Sequence, residues 1–101
     1  MKLITLLAIE IYKEEIINIL KKAGVMTFSY SKITGYRDNT IEALNSNWFG
    51  TEMNESESVF FLAFVQESMV DKVFELTNSF NDAQSSTSHI HIASISVEKT
   101  N

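Results

Sequence analysis

The chain has 101 residues, 45% hydrophobic and 21% charged, which suits a single domain over 1–101 with one modest core. A formal net charge of -5, with only 8 Lys and Arg and those scattered, provides no basic stripe to follow a phosphate backbone and sets nucleic acid aside as the main partner. The early charges Glu10, Lys13, Glu14 and Glu15 interrupt the apolar N-terminal run, which argues against direct membrane insertion. The lack of Cys removes any disulfide framework or thiolate site, and a cytoplasmic location is expected.

Leu3 to Tyr12 reads as a strand that is apolar on both parities, with Ile4, Leu6 and Ala8 on one side and Leu3, Leu7, Ile9 and Ile11 on the other. From Lys13 the period becomes helical through Ile16, Leu20 and Ala23. Glu14 and Glu15 lie in the first turn, Lys21 and Lys22 in the last, and Gly24 is the stop, all in the sense the helix dipole favours. Val25 to Tyr36 returns to period two with one polar face. Residues 37–57 are acidic and aperiodic and read as a long loop, of the kind that usually carries function. Ser58 to Gln66 is a second doubly apolar strand. Ser68 is the expected cap of a second helix with Val70, Val73, Phe74 and Phe80 inward. Asn81 to Ser88 reads as a polar connector and His89 to Val97 as the last strand.

The order βαββαβ predicts an α+β, ferredoxin-like domain: a four-stranded antiparallel sheet with two helices on one face, strands one and three at its centre. Those two strands are the ones apolar on both faces. Helices cover one face only, so the other should be covered by a second copy of the chain, making a homo-oligomer; the alternative is the loop folding back with Trp48 and Phe49 as a lid. The same topology brings the long loop, the connector and His89 to one end of the sheet.

With this order, the loop and the short connector before strand four, the chain resembles the nitrogen-regulatory PII-like superfamily. Ile33-Thr34-Gly35-Tyr36-Arg37 is similar to that family's V-x-G-[FY]-G-[RK] stretch, with Arg37 where the second Gly stands. The resemblance implies a trimeric signalling protein. It would bind an adenine nucleotide, or an effector such as 2-oxoglutarate or bicarbonate, in the cleft between subunits, and would act on a transporter or enzyme through loop 37–57. It places ligand-binding at Gly35, Tyr36 and Arg37 with Ser85, Ser86, Thr87 and Ser88; independently, Trp48 and Phe49 stand out as aromatics in an acidic, polar loop and read as partner-docking anchors, or else as packing against the chain's own sheet. The family's phosphate loop, T-G-x-x-G-D-G-K, falls on Gln84 to Ser88, which has neither the glycines nor the Lys. The architecture is also similar to the CutA divalent-cation-tolerance family and to a branch associated with heavy-metal efflux.

His89 and His91, two apart in the predicted strand, would project from one face and could hold a divalent metal, a spacing more often met in packing. Catalysis finds little support: the serines sit in polar runs without a nucleophile turn and the loop carboxylates lack a rigid partner, so no enzyme activity is expected. The competing enzyme reading is a dimeric α+β-barrel monooxygenase using His89 or His91.

Overall fold

The structure is a computed structural model and describes residues 1–36, 55–85 and 87–101, with the side chains of Glu55 and Ser56 excepted. Its elements run β1 (Lys2–Ile9), a 3-10 turn (Glu10–Tyr12), α1 (Lys13–Lys22), β2 (Ser29–Tyr36), β3 (Glu55–Val65), α2 (Glu67–Ala83) and β4 (His91–Ser96). The four strands form one antiparallel sheet in the order β2-β3-β1-β4. This is the predicted ferredoxin-like arrangement, with β1 and β3 at the centre.

Register separates the two faces. Leu6 stands opposite Phe61 and Ile4 opposite Ala63, and these side chains, with Ala8 and Val59, are fully or almost fully buried. They pack with Ile16, Leu20 and Val73 of the helices into one core. The other parity forms an open face. Its rows read Ser31, Phe60, Leu7, His91, then Ser29, Leu62, Thr5, Ala93, then Phe64, Leu3, Ile95. Phe64 stays 55% and Ile95 50% exposed there, so the face wants a cover the described residues do not supply.

α1 ends as its sequence predicts. Gly24 takes φ 87, Val25 N–H donates to Leu20 O at 2.9 Å and Gly24 N–H to Lys21 O at 3.0 Å, the paired bonds of a Schellman cap.

Several boundaries differ from the sequence expectation. The strand predicted over Leu3 to Tyr12 stops at Ile9, and the next three residues turn as a 3-10 helix that leaves Ile11 79% exposed while burying Tyr12. Residues 25–28 are outside β2. The loop predicted over 37–57 gives up its last residues to β3, because Glu55, Ser56 and Glu57 pair with Tyr36, Gly35 and Thr34. Pairing outweighs the low strand propensity of acidic residues there. α2 begins at Glu67 after Gln66, with no side-chain cap bond, so Ser68 is not the cap; the helix runs on through Ala83 and takes the first residues of the predicted connector. The last strand starts at His91, which leaves His89 outside it.

Candidate functional site

The antiparallel register brings the ends of β1 and β2 and the starts of β3 and β4 to one end of the sheet. Ile9 pairs with Ser58, Tyr36 with Glu55, and Leu7 with His91. Of the proposed ligand residues, Gly35, Tyr36, Ser85, Thr87 and Ser88 are described and lie at this end, but not beside one another. Gly35 and Tyr36 finish β2, one edge of the sheet; Ser85, Thr87 and Ser88 precede β4, the other edge. Three strand spacings, roughly 14 Å, separate the two groups within one chain.

At the β2 edge Gly35 is buried and Tyr36 exposed. Beside them Lys32 reaches over β3 to Glu10 at 2.9 Å. The ion pair holds the Glu10 carboxyl below its ordinary value, through the hydrogen bond to Lys32 first, and raises the Lys32 ammonium by the same hydrogen bond. Glu10, Lys32, Ile33, Thr34 and Glu57 line a shallow cavity of about 230 Å3 here. Lys13 sits 5.0 Å from the Tyr30 ring, whose other neighbour is Phe61 with ring centroids 4.9 Å apart.

At the β4 edge the connector is held by side chains the sequence reading did not single out. Asn81 Nδ2 donates to Ile90 O at 2.9 Å while Ile90 N–H donates to Asn81 Oδ1 at 2.8 Å, so one amide closes a ring with the backbone as a paired strand would. Tyr12 Oη donates to Ser88 O at 3.3 Å, and its ring meets Phe80 edge-on at 5.0 Å. Ser88 is buried, whereas Ser85 and Thr87 are exposed. The signal for Asn81 lay in its type: an amide at a helix end can satisfy both backbone groups of a chain turning away.

Arg37, Trp48, Phe49 and Ser86 lie outside the described residues. The histidine pair does not share a strand face: His89 precedes β4, and His91 stands on the open face opposite Leu7. Among the described residues no group of three or more His, Cys, Asp or Glu is placed to hold a metal ion. Among them, too, no helix is long and apolar enough to cross a membrane.

No family model and no curated protein matches the chain. Solved structures do. A nitrogen regulatory PII-like protein, CPII, from Thiomonas intermedia K12, bound to ADP, AMP and bicarbonate, superposes with a TM-score of 0.63 at 18% identity, covering 99% of this chain and 94% of that one. CPII from the same organism bound to ADP and bicarbonate gives 0.62 at 18% identity, covering 97% and 88%. The likeness spans both helices and all four strands, and the chain has the fold of the PII-like nitrogen regulatory proteins.

Proposed function

We propose that the chain is a single-domain, PII-like regulator rather than an enzyme, working in the cytoplasm as a homotrimer. It would bind a small anionic ligand in the cleft between subunits and act on a transporter or enzyme through the residues after Tyr36. The observation that carries this reading is the placement of the two ligand groups on opposite edges of one sheet beside an uncovered apolar face. A second copy that covers the face brings the β2 edge of one subunit towards the β4 edge of another, and the two halves of a site then meet.

The chemistry of those halves favours a nucleotide held by hydroxyls. Ser85 and Thr87 offer exposed donors for phosphate oxygens, and the Tyr36 ring is exposed at the other edge as a surface on which a base can stack. The connector lacks the Gly-rich backbone and Lys of a phosphate loop, so binding should be weaker and less phosphate-selective than such a loop provides. CPII, bound to ADP, AMP and bicarbonate, supplies the ligands to try first.

Calorimetric titration of the oligomer with ADP, AMP and bicarbonate, alongside its mass by light scattering, tests the reading. A trimer that binds one of the three, with affinity reduced in Thr87→Ala and Tyr36→Ala, supports it. A monomer, or a trimer that gives no heat with any of them, removes it.

A further inference from the structure

One short segment touches both edges of the sheet. Glu10, in the 3-10 turn after β1, pairs with Lys32 on β2 at 2.9 Å, and Lys13, at the start of α1, lies over Tyr30 of β2 at 5.0 Å. Between them Tyr12 points the other way, donating to Ser88 O in the connector and packing on Phe80 of α2. The intervening Ile11 is 79% exposed, so nothing in the described chain packs the turn from outside. Short 3-10 pieces commonly serve as connectors at helix ends, and this one joins β1 to α1.

We infer that Glu10–Lys13 is a coupling element: it links the connector before β4 to the β2 and β3 stems from which residues 37–54 depart, so that a ligand held by one edge alters the other. The inference deepens the proposed regulator and rests on it for its purpose, though not for its geometry. Tyr12 and Glu10 belong to one turn of three residues and cannot move independently. Drawing Ser88 towards a ligand shifts Tyr12, and any rotation of the turn alters the reach of Glu10 to Lys32. That ion pair is exposed on the Lys32 side, hence weak enough to be made and broken in a switch. Glu57, on the third strand, adds its charge to the same cluster and ties the second stem to it. Asn81 fixes Ile90, so displacement of the connector is confined to residues before it and is passed to Tyr12 rather than lost along β4.

Hydrogen exchange read by mass spectrometry on the full chain, first without ligand, tests the coupling through Tyr12→Phe, Glu10→Gln and the double variant. Tyr12→Phe keeps the ring on Phe80 and removes only the bond to Ser88. It should speed exchange in the connector and also in the Lys32 to Tyr36 stem, there by about two- to fivefold, the scale an exposed ion pair supplies. Glu10→Gln should act on both regions too, and the double variant should fall short of the product of the singles. Effects confined to each variant's own edge, or a double variant equal to that product, overturn the inference. Adding ADP then separates the two readings. Slower stem exchange in the wild type that is lost in Tyr12→Phe completes the case, and the same slowing in Tyr12→Phe overturns it. A wild type that ignores ADP counts against the ligand reading alone, because the coupling is already decided without ligand.

Discussion

On the proposed homotrimer, Phe60→Lys should dissociate the assembly and leave the subunit folded. Phe60 lies in the middle of the open face, between Ser31 and Leu7, on the parity that points away from the helices. Its ring is already partly covered by its neighbours, so the further burial a second copy provides is worth about 1 kcal/mol, half or less of a full aromatic side chain. The larger effect is the ammonium. Desolvating an unpaired charge costs several kcal/mol, so a trimer carrying three of them is disfavoured by on the order of 10 kcal/mol. At 1.4 kcal/mol per factor of ten, that weakens association by about seven orders of magnitude. Within the subunit the Lys stem can lie along the sheet with its head in water. Light scattering coupled to size exclusion across the micromolar range should give a monomer mass, with the far-ultraviolet circular dichroism of the wild type. A variant that keeps the wild-type mass refutes the use of this face, and one that loses its fold along with its mass refutes the assignment of Phe60 to the face away from the core.

Thr77 is fully buried and, among the described residues, its Oγ1 has no hydrogen-bond partner. Thr77→Val removes an unsatisfied hydroxyl at nearly constant shape, and should stabilise by about 1 kcal/mol, a rise of roughly 4–8 °C in Tm by calorimetry. Asn81→Ala strands both backbone groups of Ile90 and should cost about 1–3 kcal/mol, with faster exchange of the Ile90 amide than of the β1 amides as the local readout. The Glu10 carboxyl is held below its ordinary value of 4.5, so its contribution is present above that value and is lost as pH falls through the lowered one. Lys32 is raised above 10.5, so its contribution is present below that value and lost as pH rises past the raised one. Glu10→Gln should therefore flatten the acid limb of the stability curve in urea titrations below pH 4.5; an unchanged acid limb would show that the pair contributes nothing.

Period and parity made the central strands, both helices and the element order legible, because long apolar runs such as 59–65 leave few alternatives and the connection rules then fix the sheet. What failed to show were features decided by partners distant in sequence. Ile11 continues the apolar parity of β1, yet the chain has already turned, since burying Tyr12 against Phe80 and Ser88 requires it. Glu55 to Glu57 look like loop by composition and become strand because β2 offers them a ladder. His89 and His91 look like a pair at strand spacing, but the Asn81 bonds to Ile90 hold the connector before His91 takes up strand pairing. Of the candidate residues, those described lie at the end of the sheet that the element order predicts, on its two opposite edges. That β2 and β4 are opposite edges follows from the predicted order itself, and with it the gap between Gly35 and Ser85.

That gap gives the apolar face its meaning. Within one chain the proposed ligand residues form two groups that no internal motion of a paired sheet can bring together, because closing roughly 14 Å would mean expelling β1 and β3, the best buried strands among the described residues. On the proposed reading another edge completes the site, and the uncovered apolar face adjoins both edges. Burial of Phe60, Leu62 and Leu7 supplies free energy for assembly without drawing on the ligand. The ligand's own contacts at the rim then remain available to bias the Glu10–Lys13 turn. A regulator is served by that division, since a site assembled by apolar contact stays assembled when the ligand leaves and can report its absence as well as its presence.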